Sequence, residues 1–294
     1  MEYLNNVNIG TATARVTGLV PECAGYREIT YRIVPIRIPA ARIADVDVAL
    51  INDPAFGAVR YATGYPVKPE LLVRYNYIQT DEEGHETHCV AVLTKDVNYK
   101  ASYAANIKPG TARITVNGTG AYVFSKQVTF PISQLAANAL TWYVLPSTYT
   151  GRAITPEIRF LYQGKEIDLK NGTAYRIILR NNIYAAPASL ADKAPYLKLT
   201  PLYWNAPARE TTFTIKPVPI SEADVTVNPI TYIGRAVTPT VRVVVNRISL
   251  VSGRDFTAAL NIPDNPESLY GRQQLIVTGM GNYCGSITKT VIVR

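Results

Sequence analysis

The sequence predicts an all-β protein built of tandem antiparallel sandwiches, with an incomplete first module. Three observations carry that reading. The composition favours strands, a set of turn-and-core patterns recurs in fixed order, and the first copy of one pattern has too little chain in front of it.

The 294 residues are 47% hydrophobic and 18% charged, and include 20 Tyr, 20 Pro and 18 Gly. Tyr, Val, Ile and Thr suit a pleated, half-buried surface, and scattered Pro and Gly punctuate short strands. No segment sustains a 3.6-residue apolar period, so few helices are expected. The net charge is +8, yet Lys and Arg stand mostly alone along the chain. A nucleic-acid surface needs them clustered, so no nucleic-acid partner is expected. The charge can still favour docking on an acidic surface. Cys23, Cys89 and Cys284 are odd in number and not equivalent by position, so stability is expected from cores rather than a disulfide framework. The opening "MEYLNNVNIG" lacks the basic and apolar regions of a signal peptide. No apolar run reaches the roughly 18 residues of a membrane-spanning helix.

Four patterns recur in the same order. A Gly is followed five residues later by Pro at Gly64 and Pro69, Gly151 and Pro156, and Gly234 and Pro239. An alternating strand follows each Pro ("ELLVRYN", "EIRFLYQ", "TVRVVVN"). Next, a Leu precedes an aromatic by six residues at Leu93 and Tyr99, Leu169 and Tyr175, and Leu250 and Phe256. Then comes a strand between two glycines, "GTARITVNG" (Gly110 to Gly118) and "GRQQLIVTG" (Gly271 to Gly279). A Thr-led strand closes each module, from Thr30, Thr129, Thr212 and Thr290. The Gly–Pro marks lie 87 and 83 residues apart. That spacing holds about seven short strands, the size of an immunoglobulin-like sandwich. The expected boundaries are 1–38, a partial module, then 39–133 with a long acidic hairpin, 134–218, and 219–294. The third module diverges, with "APYLKLTPLYWNAP" in place of the Gly-to-Gly strand.

In "YIGRAVTPTVRVVVN", "LVSGRDF" and "GMGNYCG" the chain resembles the immunoglobulin-like repeat modules of bacterial surface and adhesion proteins, which also occur in bacteriophage virion proteins. The resemblance implies a fold and a use in attachment, and it carries no catalytic residues.

Candidate chemistry is sparse. The hairpin "DEEGHETHC" (Asp81 to Cys89) holds both histidines. On a strand His85 and His88 point to opposite faces, and Glu83, His85 and Thr87 share one. At most two good ligands result, short of the four that zinc takes, so no metal site is expected. "GMGNYCG" has no helix after it to cradle a phosphate. A nucleophile triad needs a His beside Ser or Cys in space, and the only Cys–His adjacency is Cys89 next to His88. No catalytic residue, metal or cofactor is expected. Trp142, Trp204 and the tyrosines suit strand cores, and at a surface they suit protein or glycan recognition.

The strand "GTATARVTG" (Gly10 to Gly18) has only nine residues before it, where the later copies have a whole half-module. Residues 1 to about 38 therefore read as the back half of a sandwich. Three origins fit: a cut from a longer chain, folding back on the next module, or completion by another subunit. Completion by a partner is the favoured expectation, with Tyr3, Val7, Ile9, Val16, Ile29, Tyr31 and Ile33 as docking residues. The expected function is that of a non-enzymatic virion component, in head or tail, docking through this segment. A second copy, or a host-surface protein or glycan, are further candidate partners. The alternatives are a fragment of a bacterial cell-surface adhesin and a set of carbohydrate-binding modules.

Overall fold

The computed structural model describes residues 1–19, 24–233, 237–261 and 270–294, so Cys23 and Gly234 lie outside the described residues. They form an all-β structure of antiparallel three-stranded sheets and short parallel two-stranded ribbons, with helix confined to short 3₁₀ turns at Ala40–Asp45, Ala137–Ala139 and Ala191–Lys193. The chain divides into two compact units, Met1–Ala136 and Ala137–Arg294.

In the first compact unit, β1 (Glu2–Leu4), β2 (Gly10–Thr17) and β3 (Tyr26–Ile33) form one three-stranded sheet. After Val34 and Pro35, β4 (Ile36–Arg37) begins the next module. Two sheets follow, one of β5 (Val46–Leu50), β6 (Leu71–Thr80) and β7 (Glu86–Leu93). The other orders β8 (Tyr99–Ala104), β9 (Gly110–Gly118) and β11 (Ser125–Ile132) as β11-β9-β8. The short β10 (Tyr122–Val123) pairs in parallel with β4. Ile36 and Arg37 thus belong with the second module, ahead of the boundary expected at residue 38.

The second compact unit repeats the plan twice. One sheet holds β12 (Leu140–Val144), β14 (Ile158–Tyr162) and β15 (Lys165–Ile167), with β13 (Ser147–Thr148) lying between β12 and β14 in sequence. Its companion holds β16 (Tyr175–Arg180), β17 (Tyr196–Pro201) and β18 (Arg209–Thr212), and β19 (Ile215–Lys216) pairs in parallel with β13. The last module opens on β20 (Val218–Pro219), so Val218 belongs to it. Its sheets are β21 (Asp224–Val227), β22 (Val241–Val245) and β23 (Ile248–Ser249), then β24 (Phe256–Leu260), β25 (Gly271–Gly279) and β27 (Ser286–Val293). The short β26 (Tyr283–Cys284) pairs in parallel with β20.

Alternation builds the cores. In β25 the odd positions Gln273, Leu275 and Val277 are buried and their neighbours are exposed, the period-two pattern of a sheet with one covered face. In the last module Val225, Val243, Val245 and Leu250 from one sheet and Phe256, Leu260, Leu275, Val277 and Val293 from the other form one apolar cluster. Fully burying each such side chain contributes roughly 1.5–3 kcal/mol.

The Leu–aromatic spacing comes from a turn. Asp96, Gly172 and Gly253 each have positive φ (63, 81 and 78°). The amide of each donates to the carbonyl of the aromatic three residues on, at 2.7–2.8 Å. The reversal sends both flanking side chains inward. Leu93, Leu169 and Leu250 are buried, as are Tyr99, Tyr175 and Phe256. Pro69, Pro156 and Pro239 are buried too, and Gly64 and Gly151 take positive φ ahead of them. At Gly279 a Cβ would sit 2.7 Å from the Cys284 nitrogen. The close turn back into β26 therefore requires glycine.

The third module's divergence has a structural result. The parallel ribbon β4–β10, or β20–β26, uses the short strand after a Gly-x-Gly turn. "PLYWNAP" supplies no such strand among the described residues. Trp204 is instead buried, its ring 6.4 Å from Phe160.

Candidate functional site

The sheet β1–β2–β3 has two faces of opposite chemistry. Cross-strand register aligns Tyr3 with Ala14 and Ala14 with Ile29, Ala12 with Tyr31, Val16 with Arg27, and Gly10 with Ile33. Tyr3, Val16, Ile29, Tyr31 and Ile33 therefore share one face. On the other face Arg15 donates two hydrogen bonds to Glu28 Oε1, at 2.9 and 2.7 Å. It lies 3.6 Å from Glu2 and covers the ring of Tyr26. The Glu28 carboxylate, bonded to it, raises the Arg15 guanidinium above its ordinary value. Arg15 thus finds its partners within its own face, whereas the other face, which also carries Arg27 opposite Val16, leaves Tyr3, Val16, Ile29 and Tyr31 exposed. Val7 and Ile9 sit in the β1–β2 loop, where both are exposed.

Register with the second module identifies the bare face. Tyr3 pairs with Ala14 as Tyr103 pairs with Ile114, and Thr30 pairs with Thr13 as Thr129 pairs with Arg113. Gly10 and Gly110 share a φ of 137°. Residues 2–18 thus repeat 102–118 position for position. Yet Val16 is 41% exposed where Val116 is 0%, and Tyr31 is 38% exposed where Phe130 is 4%. The face that forms the core of a complete module is open in the first at Tyr3, Val16, Ile29 and Tyr31, with Ala12 alone buried between them.

Sequence reasoning missed Asn6, which falls at the position of Asn106 in this register. Its signal was an Asn followed by a β-branched residue, at Asn6–Val7, Asn106–Ile107 and Asn182–Ile183.

The acidic hairpin is exposed, and its turn gathers more than strand parity counted. Asp81, Glu83 and His85 place ligand atoms within 4.8 Å of one another, which corrects the expected maximum of two. The groups bind each other. Asp81 Oδ1 accepts from the His85 and Glu83 amides at 2.7 and 3.1 Å, and Oδ2 lies 3.1 Å from His85 Nδ1. These bonds, the His85 amide foremost, lower the Asp81 carboxyl below its ordinary range. His88 is exposed on β7, and Cys89 faces Gln79 at 3.8 Å.

Within the second compact unit, a cleft of about 730 Å³ is lined by Tyr149, Tyr184, Tyr283, Arg254, Asp255 and Asn282, among others. Tyr149 meets Tyr283 edge-on at 5.8 Å, and Asn282 Oδ1 accepts the Ala185 amide at 2.8 Å. Arg254 pairs with the buried Asp255 at 2.7 Å, a bond that lowers the Asp255 carboxyl. The six named residues of the cleft come from four separate stretches of the chain, and no sequence pattern linked them.

No family model and no curated protein matches the chain.

Proposed function

We propose that the chain is a non-enzymatic structural and interaction protein. Its immunoglobulin-like modules are joined to a larger assembly through the sheet β1–β2–β3. The observation that carries this reading is the open face of Tyr3, Val16, Ile29 and Tyr31: in the second module the equivalents of Val16 and Tyr31, Val116 and Phe130, are core residues, and those of Tyr3 and Ile29, Tyr103 and Val128, are half-buried. An exposed contiguous apolar face of this kind marks an interaction site, and a sheet gains most by packing on a second sheet. A virion is the assembly this reading favours, on sequence grounds alone. Deletion of residues 1–34, which leaves β4 and the buried Ile38 in place, tests the docking. The truncated chain is expected to fold and to lose co-purification with its partner from the native source. Retained assembly at unchanged affinity would overturn the proposal.

A second reading, carbohydrate binding, is favoured by the cleft of Tyr149, Tyr184 and Tyr283. It presents aromatic rings beside the Arg254 guanidinium and the Asn282 amide, the mixed chemistry of small polar ligand sites.

A further inference from the structure

Two of the complete modules show how the two halves of a sandwich hold each other. In the second module Asn106 Nδ2 donates to the Val67 carbonyl at 2.9 Å, and the Val67 amide donates to the Asn106 carbonyl at 2.7 Å. In the third, Asn182 and Ile154 make the same two bonds, both at 2.8 Å. Val67 and Ile154 each stand two residues before the Pro of the Gly–Pro loop. The Tyr103 hydroxyl adds a bond of 3.2 Å to the carbonyl of that proline, Pro69. A kink sets up the grip. Ala105 and Asn181, just before each Asn, have φ of 53 and 54°.

The open sheet carries the same parts. Asn5 has φ of 56°, Asn6 stands where Asn106 does, and Tyr3 where Tyr103 does. The Asn6 side chain is exposed and bonds to no described residue, and the Tyr3 hydroxyl reaches only the Met1 sulfur at 3.0 Å. We infer that the occupant of this face is the front half of a module of this same repeat type, supplied from outside residues 1–294. Its Gly–Pro loop is held by Asn6 and Tyr3, and its alternating strands cover Val16, Ile29 and Tyr31. This rests on the docking reading and names the partner's chemistry. A second copy of this chain fits less well. Two open sheets face to face bring no Gly–Pro loop to either Asn6, and the described Gly–Pro loops at Val67 and Ile154 are already held within their own modules.

The test uses the full chain and a synthetic polypeptide of residues 217–255, the front half of the last module, as probe. Binding is measured by fluorescence anisotropy. The probe is expected to bind, and Asn6→Ala to weaken it about tenfold, the scale of a lost buried hydrogen bond. Methylating the Val237 nitrogen of the probe is expected to do the same, while Asn106→Ala leaves affinity unchanged. If the probe aggregates, fusing it ahead of residue 1 through a flexible linker gives a second reading. The amides of Gly10–Thr17 should then gain exchange protection that Asn6→Ala removes. Absence of both binding and protection, or indifference of both to Asn6→Ala, overturns the inference. So does sedimentation showing a dimer of the chain that Val16→Glu abolishes, because the occupant is then a second copy. The docking reading falls separately, through the deletion of residues 1–34.

Discussion

Asn106 holds Val67 at both its peptide groups, donating to its carbonyl at 2.9 Å and accepting its amide at 2.7 Å. The side chain is buried and spans 39 residues of sequence. Asn106→Ala leaves the Val67 carbonyl without that donor, and the expected cost is about 1–3 kcal/mol. Asn6→Ala removes an exposed amide with no described partner, so the expected cost in the isolated chain is within about 0.5 kcal/mol. Urea unfolding of the two variants checks the contrast, and equal costs would contradict it.

Leu250 stands at the start of the last module's Leu–aromatic turn and packs in the same cluster as Phe256 and Val243. Leu250→Ala is expected to cost about 2–5 kcal/mol, from lost transfer energy plus the cavity left behind. A loss below about 0.5 kcal/mol in chemical unfolding would place Leu250 at the surface.

Asp255 is buried, accepts the Val251 amide at 2.9 Å, and is paired with Arg254. Its carboxyl is lowered in the folded state, chiefly by the Arg254 bond. The stability it contributes is therefore present above the unfolded value, near pH 4. It is lost as pH falls through the lower folded value. The stability gap between the parent chain and Asp255→Asn should shrink below about pH 4 and stay level from pH 5 to 7. Urea midpoints across pH 2–7 check this, and a gap independent of pH would refute it.

Local rules made the repeats readable. The Leu–aromatic spacing follows from one positive-φ turn, and the Gly-to-Gly strand from alternation plus the tight approach at Gly279. The same periodicity placed Tyr3, Val16, Ile29, Tyr31 and Ile33 on one face. Contacts made at a distance were not readable. The Asn106 side chain and carbonyl meet Val67 at backbone groups that every residue carries, so nothing in the sequence marks Val67 as the partner of Asn106. The tyrosine cleft draws Tyr149, Tyr184 and Tyr283 from separate stretches of the chain, the last on β26. "PLYWNAP" was visible as a departure, but the lost ribbon follows only from how β4 and β20 find their partners.

The hairpin Asp81 to Cys89 is expected to hold no stoichiometric zinc. Its three candidate groups are exposed and already bonded to one another. Zinc would need about four ligands at 2.0–2.3 Å. Elemental analysis of the purified protein checks this. Zinc at one equivalent, lost on His85→Ala, would show that the turn reorganises around a metal.

The open sheet should also be the least protected part of its compact unit. Strands β2 and β9 share glycine positions, register and ladder partners, and differ in what covers them. Val116 and Phe130 are core residues, whereas Val16 and Tyr31 leave much of their surface in water. A single three-stranded sheet without a second layer holds its hydrogen bonds with little apolar support, and protection follows local stability. The amides of Gly10–Thr17 are expected to exchange faster than those of Gly110–Gly118 by a factor on the order of 100. That is about 2.7 kcal/mol, comparable to leaving one or two large apolar side chains unburied. Adding the partner should bring the two strands to similar protection. Equal protection in the purified, monomeric chain would mean that this face is covered in solution, and the docking surface would have to be sought elsewhere.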